Sequence, residues 1–239
     1  MAPLVLVHGF TQNRKCWGPI AATLSTRHEV IAADAPGHGA ASAVRADLWE
    51  TADLLAQNGA GAYVGYSMGA RMVLHVALAH PDRVERLVLV SGTAGIEDAS
   101  ERAARVGRDE ELASSLERDG LDAFLERWLA QPLFATLPST ARDDAERREN
   151  TVEGLASSLR LAGTGRQDPL WHRLVDLDMP VLIVAGALDE RFTATARRMN
   201  DAIGTNATLR VLPDAGHACH REREGEFATL VLDWLAQGT

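Results

Sequence analysis

Short apolar runs recur along this chain, and each gap between the first few leaves room for one amphipathic helix. Residues 3–7, Pro-Leu-Val-Leu-Val, form an unbroken apolar run, as expected of a strand buried on both faces. Residues 29–33 and 86–90 read the same way, and 62–64 reads as the end of another strand. Between them, 17–24, 46–57 and 68–79 have helical spacing, with Leu48, Leu54 and Leu55 on the apolar side of the second. The first 92 residues thus predict β-α-β-α-β-α-β, which implies a parallel sheet with helices on both faces. From 97 to 168 no strand signal occurs. Stretches rich in Arg and Glu predict helices over 98–118, 121–130, 139–149 and 152–162, punctuated by Pro132 and Pro138. The sheet pattern resumes at 180–185, followed by a helix over 192–203, a strand over 207–212 and an amphipathic helix over 224–235. The expected class is α/β, a mostly parallel sheet flanked by helices. Residues 1–96 and 169–239 form its core, and 97–168 form an inserted all-helical lid.

Composition narrows the picture. The 239 residues fit one domain carrying an insertion, and 46% hydrophobic with 24% charged residues is ordinary for a globular protein. A net charge of −9 argues against a nucleic-acid partner, which needs a basic face. It leaves room for a small anionic substrate held by a local arginine cluster. Cys16 and Cys219 lack metal or redox spacing and read as free thiols. No signal peptide precedes the first strand and no apolar run is long enough to span a bilayer, so a cytoplasmic location is expected. A monomer or small homo-oligomer is the expected state. No H-E-x-x-H, paired C-x-x-C or P-loop is present, so neither a metal nor another cofactor is expected.

The chemistry centres on Gly65-Tyr66-Ser67-Met68-Gly69, between the strand end at 62–64 and the helix at 68–79. A G-x-S-x-G pentapeptide in that context predicts a nucleophile elbow, a serine exposed on a sharp strand-to-helix turn. The bland alternative is a glycine-rich turn with a capping serine. A serine needs a histidine to take its proton, and that histidine needs a carboxylate to fix its tautomer. On this type of sheet the three follow in the order Ser, acid, His, which Ser67, Asp189 and His217 satisfy, each at the end of a strand or just after one. His220 is the rival to His217, which is favoured because Gly216 lets its loop come close. Asp189 is favoured over Asp214, which sits in the turn before the histidine and reads as a cap of that turn. The oxyanion hole needs two backbone N–H donors, expected from Met68 and, after the first strand, from Phe10. His8 is expected to shape that loop. Arg71 follows Ser67 by one helical turn on the same face, and its alternative is an ordinary ion pair.

On these motifs the chain resembles the α/β-hydrolase superfamily over its whole length. The antiparallel strand pair that often opens that fold is missing. Within the superfamily it is most similar to the 2-succinyl-6-hydroxy-2,4-cyclohexadiene-1-carboxylate synthase family of menaquinone biosynthesis. The matching stretches are HGFTQNRKCW at 8–17, DAPGHG at 34–39, GYSMGAR at 65–71, ERAARVGRD at 101–109, WLAQPLF at 128–134, GLASSLRLAGTGRQ at 154–167 and AGHACHRE at 215–222. The resemblance implies a lyase that abstracts a proton and eliminates pyruvate, with Ser67 acting as base backed by His217 and Asp189. It also implies carboxylate binding by Arg71, Arg105 and Arg147, with Arg148 adjacent to the last as an alternative, and pocket positions at Tyr66 and Trp128. The rival activity is a serine carboxylesterase or carbon–carbon bond hydrolase acting on a small ester or diketone, and a non-catalytic ligand receptor is a third reading. The arginines discriminate, because a neutral ester gives no reason to keep cations in a desolvated pocket.

Overall fold

Six strands, Pro3–Val7 (β1), Glu29–Ala33 (β2), Gly61–Tyr66 (β3), Val84–Val90 (β4), Val181–Gly186 (β5) and Ala207–Leu212 (β6), form one sheet in the order β2-β1-β3-β4-β5-β6. Every pairing is parallel. The structure, a computed structural model, describes residues 2–237. Alternation along the strands divides the core in two. Leu4 and Leu6 of β1 join Ile20 and Leu24 of α1 (Gly18–Leu24) and Phe227 and Val231 of α10 (Glu224–Ala236). Val5 and Val7 point to the other face, toward α2 (Leu48–Ala56), α3 (Met68–Ala79) and α8 (Glu190–Ile203). Full burial of each such side chain contributes about 1.5–3 kcal/mol, so the two faces fix the register of the central strands.

Local chemistry sets the helix starts. Asp47 begins α2 with a reciprocal capping box to Glu50. Asp189 accepts the Phe192 N–H at 3.1 Å and caps α8, so that helix begins at Glu190, two residues before the position its spacing suggests. Leu48 and Leu55 are buried as expected, but Leu54 faces solvent.

The chain between β4 and β5 contains α4 (Ala99–Asp119), α5 (Leu121–Leu129), α6 (Asp144–Arg147) and α7 (Val152–Ala162). Ala113, Leu116, Phe124, Leu155 and Leu159 give these helices a small core of their own. Helix α7 meets the loop after β2 backbone to backbone: a Cβ on Gly154 would lie 2.4 Å from the Gly37 carbonyl oxygen, and one on Gly37 equally close to that of Gly154. The single helix expected over 139–149 is not formed. Ser139–Ala141 is one 3-10 turn, α6 is one turn long, and Asp143 between them has φ 55°. The Asp143 carboxylate is drawn to Arg221 and Gln12, and these tertiary bonds override the local helical preference. The short helix α9 (Cys219–Glu222) and a 3-10 stretch over Trp171–Asp176 carry no pattern long enough to be read in sequence. No helix among the described residues is long and apolar enough to cross a membrane.

Candidate active site

Ser67 stands between β3 and α3 with φ 52° and ψ −104°, a strained conformation for a side-chain-bearing residue. The glycines make the turn possible. A Cβ on Gly65 would lie 2.3 Å from the Gly69 carbonyl oxygen, and one on Gly69 2.1 Å from that of Val7. The Ser67 N–H donates to Val90 O at 2.8 Å, which ties the elbow to β4.

His217 Nε2 lies 3.0 Å from Ser67 Oγ, and His217 Nδ1 lies 2.8 Å from Asp189 Oδ2. The arrangement fits an imidazole with its proton on Nδ1, directed to the carboxylate, and a free Nε2 lone pair for the serine proton. Burial pushes the Asp189 carboxyl upward, but hydrogen bonds from the His217 ring and the Phe192 N–H outweigh it and hold the group below its ordinary range. The histidine loop is itself fixed: Ser91 Oγ donates to His217 O at 2.8 Å, and the Gly216 N–H donates to Glu222 Oε2 at 2.8 Å. His220 points elsewhere. Its ring is buried against Trp17, Tyr66 and Phe227, and burial holds its pKa well below the ordinary value. Asp214 is exposed and pairs with Arg223 rather than capping the histidine turn.

Met68 is the first residue of α3, so its N–H has no intrahelical acceptor. Phe10 lies on the loop after β1, and both residues line the cavity beside Ser67. His8 shapes that loop. Its Nε2 accepts the Ala35 N–H at 3.1 Å, which leaves Nδ1–H to donate to Gly9 O at 2.8 Å. Burial lowers its pKa to about 4, so this neutral tautomer holds at physiological pH.

The cavity, about 400 Å³, is walled by the sheet's carboxyl ends on one side and the inserted helices on the other. Tyr66 and Trp128 line it, the latter with a buried Nε1–H that has no protein acceptor. Arg71 is buried and donates through Nη1 to Ala162 O at 2.9 Å. Desolvation, then the nearby Arg105, lowers its pKa to about 10, which keeps it cationic at neutral pH. Arg147 is also buried, and its Nε donates to Arg142 O at 2.6 Å. Among the described residues neither Arg71 nor Arg147 has an ion-pair partner. Arg105 differs: its Nε lies 2.8 Å from the buried carboxylate of Asp109. Arg148 turns outward to Asp122 at 2.7 Å, so Arg147 is the one at the cavity wall. Arg108, Arg191 and Ser91 also line the cavity. No sequence signal singles out any of these three. Among the described residues, no group of three His, Cys, Asp or Glu side chains is arranged to hold a metal.

Residues 2–223 match the family model described as the alpha/beta hydrolase fold. The chain is 34% identical to a protein of Bacillus subtilis (strain 168) that provisionally bears the name 2-succinyl-6-hydroxy-2,4-cyclohexadiene-1-carboxylate synthase, across 97% of this chain and 89% of the relative. It is 32% identical to the synthase of that name from Enterobacter sp. (strain 638), across 97% of this chain and 91% of the relative. Among solved structures it is similar to MenH from S. aureus, with a TM-score of 0.91 and 29% identity over 98% of this chain and 92% of that one.

Proposed function

Since the chain belongs to the α/β-hydrolase fold family and, within it, to the 2-succinyl-6-hydroxy-2,4-cyclohexadiene-1-carboxylate synthases, we propose that it is the pyruvate-eliminating lyase of menaquinone biosynthesis. The observation that carries the reading is that the buried guanidiniums of Arg71 and Arg147, neither in an ion pair among the described residues, line the cavity that holds Ser67 and His217. Buried charge left unpaired is costly, so these cations call for an anionic ligand. The product's name shows a succinyl and a ring carboxylate, and the pyruvate that leaves carries a third. An arginine–carboxylate contact in such a site is charge-assisted and can be bidentate.

In this reading His217 Nε2 withdraws the Ser67 proton, and Ser67 Oγ takes the proton from the ring carbon next to the succinyl ketone. Electron density moves onto the ketone oxygen, where the Met68 and Phe10 N–H groups hold it. Collapse of that enolate shifts the ring double bond and breaks the bond to the enolpyruvyl oxygen, so the elimination is 2,5; pyruvate leaves as its enolate and takes up the proton that His217 holds. Asp189 keeps the imidazole oriented and stabilises its cation. Residues 97–168 serve as a lid that excludes water, and Tyr66 and Trp128 pack on the ring. The protein works in the cytoplasm on a small anionic substrate, as a monomer or small homo-oligomer. Purified protein incubated with the enolpyruvyl precursor should release pyruvate while short-chain nitrophenyl esters are turned over poorly. Rapid ester hydrolysis without pyruvate release would instead make it a serine esterase.

A further inference from the structure

The loop after β1 carries the second oxyanion donor, and it is not self-supporting. Thr11 is a β-branched residue at φ 66°, a genuine outlier. The Gly9–Phe10 peptide is planar and trans, so its C=O and the Phe10 N–H point in opposite directions. Whatever fixes the Gly9 carbonyl therefore aims the Phe10 N–H. The His8 ring holds that carbonyl at 2.8 Å and the Gln12 N–H holds it at 3.1 Å. Gln12 also takes the other side of the same residue, because its Oε1 accepts the Gly9 N–H at 3.0 Å. Gly9 is thereby pressed between Gln12 and Tyr66: a Cβ there would lie 2.7 Å from the Tyr66 ring and 3.2 Å from Gln12 Oε1.

Gln12 is in turn held from the inserted segment. Its Nε2 donates to Asp143 Oδ2 at 3.3 Å, and Asp143 Oδ1 pairs with Arg221 at 2.5 Å, with both charged side chains less than a tenth exposed. A buried carboxylate is tolerated only where it is paired and hydrogen-bonded, and Arg221 and Gln12 provide both. Asn150, from the same segment, donates to Thr11 O at 2.7 Å.

We propose that Gln12 and Asp143 are positioning residues of the oxyanion hole, which fix the Gly9–Phe10 peptide and so make its geometry depend on the inserted segment. The inference rests on assigning the Phe10 N–H to the hole and not on which substrate is bound.

Three variants test it: Gln12→Ala, Gln12→Glu and the double variant Gln12→Glu/Asp143→Asn. Gln12→Glu keeps an acceptor for the Gly9 N–H but sets two carboxylates against each other. The added Asp143→Asn returns a donor, with the hydrogen bond reversed. The readouts are kcat and KM for pyruvate release and the rate at which a fluorophosphonate labels Ser67. In that labelling the Oγ–P bond forms, fluoride leaves, and the phosphoryl oxygen enters the oxyanion hole. Both single variants should slow labelling and lower kcat by about tenfold or more with KM changed by less than about threefold, and the double variant should recover most of the loss. Labelling of folded Gln12→Ala within about twofold of the parent, or a double variant no faster than Gln12→Glu, would overturn the proposal. Should Gln12→Ala not fold, the comparison of the two Gln12→Glu proteins decides alone. An intact labelling pattern without pyruvate release would refute the synthase reading and leave this inference standing.

Discussion

Arg147, on α6, donates through Nη1 to the hydroxyl of Thr11 on the loop after β1, and both side chains are buried. One guanidinium thus serves as a cavity cation and as a brace for the loop that holds Phe10. Arg71 donates instead to Ala162 O, at the end of α7, and makes no hydrogen bond to that loop among the described residues. Arg71→Ala should lower kcat/KM for the polycarboxylate by about 2–5 kcal/mol, or roughly 30-fold to several-thousand-fold, and leave a neutral nitrophenyl ester nearly unaffected. Arg147→Ala should damage both reactions. Arg105→Ala should also lower the melting temperature, since it strands the buried Asp109 carboxylate. Kinetics on both substrates with melting curves check all three, and equal, small effects would remove the basis for the synthase reading.

The triad predicts a sharper loss. Ser67→Ala, His217→Ala and Asp189→Asn should each reduce turnover on the order of ten-thousand-fold, and combining them should add little because the groups act as a unit. Circular dichroism should show all three folded. Substantial turnover by His217→Ala would show that another group takes the proton.

Buried histidines make the fold sensitive to acid. Burial lowers the pKa from 6.5 to about 4 in His8 and His75 and to about 3 in His38, and it pushes His220 the same way. Between these values and 6.5 the unfolded chain binds protons that the native state does not. Stability from these groups is therefore complete above about pH 6.5 and is lost as pH falls, by up to about 1.4 kcal/mol per pH unit for each. Urea midpoints between about pH 7 and pH 5 should show this slope. His220→Phe keeps a ring among Trp17, Tyr66 and Phe227, so it should flatten the slope and retain turnover.

Two glycines in the inserted helices should respond in opposite ways to the same change. Gly154→Ala drives a methyl to 2.4 Å from Gly37 O and should strongly destabilise the seat of α7. Gly107, within α4, has nothing within 4 Å of an added Cβ, so Gly107→Ala should stabilise by about 0.5–1 kcal/mol. Thermal melts of the two variants measure both effects.

The parts of this protein legible in sequence are those set by local rules. Strands β1, β2 and β6 and helix α3 fall on the residues their patterns predict, because runs of apolar side chains end at polar or glycine-bearing turns. The order Ser67, Asp189, His217 picks out three side chains that the sheet brings together, with His217 within hydrogen-bond distance of both Ser67 and Asp189. The helix that the pattern predicts over 139–149 is interrupted at Asp143, whose carboxylate pairs with Arg221, 78 positions later. Distance in sequence also hid the state of the arginines. The Arg105–Asp109 pair is a local i,i+4 contact, whereas the partner of Arg71 is a carbonyl 91 residues away, at Ala162.

Cys16 and Cys219 are both buried, and burial pushes each thiol up to about 12. With no other cysteine in the chain, the folded protein should react only slowly with thiol reagents, which a thiol titration of the native protein checks. Thiols introduced at the cavity mouth by Arg108→Cys on α4 and Arg191→Cys on α8 would then carry fluorescent dyes alone. Energy transfer between those dyes would gauge, molecule by molecule, how far the entrance opens in solution and whether a carboxylate ligand narrows it.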